Sequence, residues 1–255
     1  MEVEKIHLTG SNTMHRKCQF QALKKAQKIG DFRATNDADS WASLKNLQTE
    51  SGPTCYKNTM TPDEMVRAAC SLIEGRKREG KRLFVAIDGG AGAGKSILAR
   101  GIHDHLKSVS ILRTDDFFRP LNDYSNARLS AEKLYELYFP WERIRDEALT
   151  PLHRGETAKY QRYDWSTDRL TDWITVEPNE IVLIEGVYSS RPELRPMLDA
   201  IIFVEAPRAE RLRRVLARDP NSLGDWLTPW MSAEDWYLEH IRTRATADLI
   251  LLSVE

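Results

Sequence analysis

Leu83-Phe-Val-Ala-Ile-Asp88 runs directly into Gly89-Gly-Ala-Gly-Ala-Gly94-Lys95-Ser96, and Ile97-Leu-Ala-Arg100 continues with helical spacing. Apolar residues of high strand propensity, a loop spelling G-x-x-x-x-G-K-S and a helix start, in that order, are the context a phosphate-binding loop requires. Glycines let the backbone curl so that successive N–H groups point inward. The following helix adds its unpaired N-terminal donors and the positive end of its dipole. The stretch therefore predicts that Gly89, Gly90, Ala91, Gly92, Ala93, Gly94, Lys95 and Ser96 cradle a nucleotide's phosphates, Lys95 reaching the β- and γ-phosphates and Ser96 ligating Mg²⁺.

Working outward, Thr61-Pro62-Asp63-Glu64 has the form of a capping box with proline at the first helical position. Met65, Ala68, Ala69, Leu72 and Ile73 then trace one apolar helical face, and Gly80 closes the segment. The catalytic domain is expected to span residues 61–255. Residues 1–60 read as an extension of unknown role, poorly structured or partly helical, with one basic amphipathic stretch at Lys17–Ile29.

Downstream, Val109–Arg113, Ile181–Glu185, Ala200–Glu205 and Asp248–Leu252 read as further strands, separated by helical patterns at about Ser130–Tyr138, Glu142–Leu149, Arg208–Arg218 and Ala233–Arg242. Pro151–Asp172 reads as a loop-rich insert. Short apolar strands alternating with helices predict an α/β fold of three layers, a five-stranded parallel sheet covered on both faces.

The chain has 255 residues, with 37 Lys+Arg against 38 Asp+Glu and a net charge of -1, so no basic field advertises nucleic acid or a membrane surface. No apolar run approaches the roughly 18 residues of a membrane span. Met1-Glu-Val-Glu-Lys5 lacks the layout of a secretion signal. Cys18, Cys55 and Cys70 form neither a disulfide framework nor a zinc spacing. A cytoplasmic location is expected. An oligomer is compatible with the sequence.

In an open parallel sheet, ligands sit beyond the carboxyl ends of the strands. Asp115, Asp116 and Glu185 fall at such ends. One carboxylate near Mg²⁺, with Glu185 and Asp116 as the candidates, would hold the metal through its water shell. A second, within reach of a substrate hydroxyl, would take its proton as the γ-phosphoryl group moves. Arg208, Arg211, Arg214 and Arg218 share one helical face, and Arg214 and Arg218 are the preferred candidates to stabilise charge on the phosphates. Trp165, in Tyr163-Asp164-Trp165, is a candidate stacking platform for a nucleobase. Glu185 is a lone glutamate where motor ATPases usually put an aspartate–glutamate pair, and the absence of a guanine-reading N-K-x-D and of an ABC-type signature argues against a GTPase switch or a transport ATPase.

From about Arg82 to Leu252 the chain resembles the uridine kinase branch of the uridine kinase and phosphoribulokinase superfamily. The resemblance rests on the loop Gly89–Ser96, Asp115-Asp116-Phe117-Phe118 in place of D-S-F-Y, and Tyr163-Asp164-Trp165 near Y-D-F. Ile184-Glu185-Gly186-Val187 stands for V-E-G-I, and Arg211-Leu-Arg-Arg214 through Arg218-Asp219 for the lid start. It implies phosphate transfer from ATP·Mg²⁺ to a nucleoside 5′-hydroxyl, with Asp115 as base and Ser96 and Glu185 serving the metal. Phe118, Tyr163, Asp164 and Trp165 would lie on the acceptor side. The family's histidine after Y-D-F has no counterpart, Pro140 stands at an expected acidic ribose contact, and Pro220–Trp226 replaces the glycine- and arginine-rich lid. These departures touch acceptor recognition. A kinase of another small acceptor, such as a sugar, a pantothenate-like compound or a nucleotide, stays open. So does a nucleotide-binding regulator with weak catalysis.

Overall fold

A computed structural model describes residues 54–55, 59–121, 129–218 and 227–253. The expected helix at Lys17–Ile29 and the lid replacement Pro220–Trp226 lie outside the described residues.

The strands are β1 (Thr54–Cys55), β2 (Leu83–Asp88), β3 (Val109–Arg113), β4 (Ala158–Asp164), β5 (Arg169–Val176), β6 (Ile181–Glu185), β7 (Ala200–Glu205) and β8 (Leu249–Leu252). Six of them form one parallel sheet in the order β1-β8-β7-β2-β6-β3. The five strands expected from the sequence are all present. The short sixth, β1, pairs Thr54 with Leu249 and Cys55 with Ile250 at the edge.

Every residue of β2 is buried. Its side chains alternate between two layers, as the period of two dictates. Leu83, Val85 and Ile87 join the core beneath α1 (Pro62–Arg76) and α2 (Lys95–His105), alongside Ile73, Leu98 and Ile102. Phe84 faces the opposite core, with Leu112, Val182, Ile184, Leu149 and Leu152. A central strand with apolar residues on both faces is stable only where helices cover both. α1 starts as its sequence predicts: Thr61 Oγ1 accepts the Glu64 N–H, and Glu64 Oε2 accepts the Thr61 N–H at 2.8 Å.

Beyond β3, a 3₁₀ turn (Thr114–Phe117) leads to α3 (Ala131–Tyr138) and α4 (Trp141–Arg143). The helical run continues through a π-helical stretch, Ile144–Leu149, into α5 (Thr150–Arg154). α6 (Arg208–Arg218), α7 (Leu227–His240) and α8 (Thr243–Thr246) precede β8.

The stretch expected as a loop-rich insert is instead the antiparallel hairpin β4–β5, paired from Ala158–Val176 to Asp164–Arg169. Ala158, Tyr160 and Tyr163 point inward from β4 while Lys159 and Arg162 point out. The reversal is held by Asp164, whose Oδ1 accepts the Ser166 N–H at 2.8 Å and the Ser166 hydroxyl at 2.7 Å. Among the described residues, no helix is long and apolar enough to cross a membrane.

Candidate active site

Three carboxyl strand ends converge. In the sheet register Ile87 lies beside Glu185, and Glu185 beside Arg113. The loop after β2, the residue ending β6 and the turn after β3 are thereby brought together. The cleft above them has a volume of about 800 Å³.

Asp88 anchors the loop from below. Its fully buried carboxylate accepts the Gly89 N–H at 2.6 Å through Oδ1. Oδ2 accepts the Ser190 N–H at 2.9 Å and the hydroxyls of Ser190 at 2.6 Å and Tyr237 at 2.5 Å. Four donors hold that charge in place and fix where the loop departs. Gly89 has φ +138°, and a Cβ there would stand 2.1 Å from the Val204 carbonyl oxygen, so only glycine fits the close approach to β7. α2 begins at Gly94 with no side-chain cap on its first donors. Uncapped N–H groups at a helix start, with the positive end of the dipole behind them, form a ready-made anion site.

Lys95 is buried and donates to the Gly90 carbonyl at 2.9 Å. Burial pushes its ammonium below the ordinary lysine value, while Glu185, Glu234 and Asp115 pull it back up. The Ser96 hydroxyl donates to Glu185 Oε2 at 3.1 Å. Burial, then the charge of Asp115, raises the Glu185 carboxyl, with Lys95 opposing. The buried Lys95 and Glu185 and the exposed Asp115 therefore meet at the mouth of the loop. A phosphate chain accompanied by a divalent cation would satisfy all three. Ser96 and Glu185 supply a hydroxyl and a carboxylate, and Mg²⁺ takes few protein ligands beside water and phosphate oxygens, so the pair fits such an ion. Among the described residues no group of three or more His, Cys, Asp or Glu is arranged to hold a metal unaided.

The sequence profile of the phosphoribulokinase / uridine kinase family matches residues 84–233, a span that runs from β2 into α7 and includes the phosphate loop, Asp115 and Glu185. The chain belongs to that family. It is 29% identical over 180 residues to the uridine kinase of Halobacterium salinarum, covering 66% of this chain and 78% of that one. It is 30% identical over 169 residues to the uridine kinase of Alkaliphilus metalliredigens, covering 63% and 77%. In fold it resembles a possible uridine kinase from Bacillus stearothermophilus, with TM-score 0.59 and 24% identity over 73% of this chain and 97% of that one. As a member of the family the protein is a P-loop phosphotransferase.

Against that family frame, the expected site residues divide. Ala91, Gly92, Gly94, Lys95, Ser96, Asp115, Glu185, Arg214, Arg218 and Trp165 all line the cleft. Asp116, expected at the metal, does not. Its Oδ2 accepts the Tyr160 hydroxyl at 3.0 Å, and burial raises its carboxyl. The reason is local: neighbours in a 3₁₀ turn point about 120° apart, so two adjacent acids cannot face one space. Tyr163 and Phe118 are buried beside the cleft rather than in it. The Tyr163 hydroxyl donates to Asp168 Oδ1 at 2.7 Å, and Asp168 also accepts the Leu121 N–H at 2.6 Å. Asp168 thereby ties the hairpin to the chain beyond β3. Asp164 is used by the hairpin turn. Phe118 supports Trp165, ring centroids 4.5 Å apart, leaving the indole 47% exposed on the cleft wall.

In the basic helix, Arg214 donates to Glu210 Oε1 at 2.6 Å and to the Gly92 carbonyl at 3.3 Å. Sequence reasoning missed Asp88 and Glu234. The first is readable in hindsight as an acid closing an otherwise apolar strand.

Proposed function

We propose that the protein transfers the γ-phosphoryl group of ATP to a hydroxyl of a small metabolite, with a nucleoside such as uridine as the favoured acceptor. The observation that carries this reading is the presence of Asp115 on the same cleft wall as Lys95, Ser96 and Glu185. Asp115 is exposed and accepts none of the donors that occupy Asp116, which supports giving it the proton of an attacking hydroxyl. Lys95, now on the Gly90 carbonyl, would exchange that partner for phosphate oxygens. Arg214 and Arg218 on the facing helix would bear on the charge of the transferred group. Ser96 and Glu185 would hold Mg²⁺, which supplies charge neutralisation across the phosphates.

The apolar side of the cleft, with Trp165, Trp230, Met231 and Val187, suits a flat ring and excludes water. Trp165 is assigned to stack against the acceptor. Tyr163, expected on the acceptor side by the family resemblance, has its hydroxyl on Asp168 and is not given that role. A panel of uridine, cytidine, purine nucleosides, sugars and pantothenate, incubated with ATP and Mg²⁺, tests the reading through ADP release. Release that rises only with a nucleoside supports it. Release with a sugar or pantothenate alone moves the acceptor, and tight ATP binding with no acceptor dependence removes the enzymatic reading in favour of a regulator.

A further inference from the structure

The motif G-x-x-x-x-G-K-S leaves its second and fourth positions free, yet both are glycine here, Gly90 and Gly92. Their surroundings say why. The Glu234 carboxylate on α7 accepts the Ala91 N–H at 2.7 Å through Oε2. Its Oε1 is paired with Arg211 Nη1 from α6. The same Arg211 nitrogen donates to the Ala91 carbonyl at 3.3 Å. One residue of the phosphate loop is thus gripped at both of its backbone polar groups by an ion pair that is almost wholly buried. A Cβ on Gly90 would stand 1.9 Å from Arg211 Nη1 and 2.7 Å from Glu234 Oε1. A Cβ on Gly92 would stand 2.3 Å from the Arg211 carbonyl oxygen. Gly92 also has φ +78°, which favours glycine on its own account. Gly90 is not among the positive-φ residues, so the nearby ion pair is what excludes a side chain there.

We infer that Glu234 and Arg211 are positioning residues, a clamp on the Ala91 peptide that holds the phosphate loop in its binding shape before nucleotide arrives. The clamp rests on the nucleotide reading of the loop and goes beyond the family's common loop, since its two members come from helices that the motif does not include. It acts at a distance from the acceptor. Glu234 takes up the Ala91 donor and cannot itself receive a phosphate, and Arg211 neutralises the carboxylate that would otherwise repel one. The neighbouring donors at the start of α2, which carry no side-chain cap, are left to the ligand. A preformed cradle binds more tightly because its ordering cost is met during folding rather than on binding.

The test is titration calorimetry of the full chain with Mg²⁺ and either ADP or AMP, which differ by the β-phosphate. Glu234→Ala is expected to lose about tenfold in ADP affinity, the worth of one hydrogen bond to a charged group, with AMP affinity little changed. Glu234→Gln keeps an acceptor for the Ala91 N–H and is expected to retain most of the ADP preference. Gly90→Ala leaves both clamp residues in the sequence but crowds Arg211 Nη1 and Glu234 Oε1, and is expected to lower ADP affinity more than AMP affinity. It also carries the test if Glu234→Ala does not fold. A general structural role would lower both affinities alike, or neither. An unchanged ADP-to-AMP ratio in Glu234→Ala or Gly90→Ala overturns the clamp, as does Glu234→Gln falling as far as Glu234→Ala. Wild-type protein that binds no ADP overturns the nucleotide reading itself, and the clamp with it.

Discussion

Replacing Gly186 by alanine adds one carbon at the tightest point between the two acids of the site. Gly186 follows Glu185 directly, and Thr114 precedes Asp115. A Cβ at 186 would stand 1.8 Å from Thr114 Oγ1 and 3.0 Å from Thr114 Cβ. Thr114 is buried and its hydroxyl donates to the Val187 carbonyl at 3.1 Å, so it can yield only by rotating and breaking that bond. The loss of a buried hydrogen bond costs about 1–3 kcal/mol. The backbone adds a second cost, because φ is +140° at Gly186 and a side chain there is strained by about 1–3 kcal/mol. Together Gly186→Ala should destabilise by roughly 2–6 kcal/mol.

The two costs can be separated. Thr114→Ala removes the clashing hydroxyl and its hydrogen bond, at about 1–3 kcal/mol alone. In the double variant the hydrogen bond is lost once rather than twice, so its cost should fall below the sum of the singles by about 1–3 kcal/mol. Urea unfolding of the four proteins at constant slope reads this coupling directly. Additivity within about 0.5 kcal/mol would show that Thr114 and Gly186 are not in contact. The juxtaposition of Asp115 with Glu185 would then lose its structural basis.

Lys95→Ala should abolish phosphate transfer with the far-ultraviolet dichroism of the fold intact; measurable turnover would mean that the buried ammonium is not on the phosphates. Asp115→Asn should lose roughly 10²–10⁴ in turnover while ATP still binds, whereas Asp116→Asn, whose side chain faces Tyr160, should keep turnover within a few fold; the reverse order moves the base to Asp116. The same Asp116→Asn variant should change the pH dependence of stability. Burial raises the folded Asp116 carboxyl above its unfolded value, partly opposed by the Tyr160 hydroxyl. Its contribution is therefore fully present in acid and is lost as pH rises through the folded value. Melting curves should show the variant gaining on wild type from acid toward neutral pH, and a gain confined to acid would reverse the assignment.

What the sequence discloses and what it hides follow from the range of the interactions involved. The phosphate loop is legible because its whole geometry is local: eight consecutive residues, a strand before and a helix after. Asp115 and Glu185 are legible one step further, since parallel strands must bring their carboxyl ends to one edge. The choice between Asp115 and Asp116 is not, because it depends on the phase of a single 3₁₀ turn, and no composition signals phase. The hairpin β4–β5 escaped notice for a different reason. A register shift between Gln161 and Tyr163 breaks its alternation, and its turn uses no glycine, relying on the Asp164 side chain and on Asp168 at φ +53°. Glu234 meets the loop from 143 positions away. No local pattern can carry such a contact, and an acid within an aromatic-rich helix reads as an exposed residue. Yet the contact leaves a trace at its other end. A glycine where a motif allows anything, and where the backbone does not demand one, records that another part of the chain has taken the space. Gly90 is such a residue, and the side chain that fills its missing volume is Arg211.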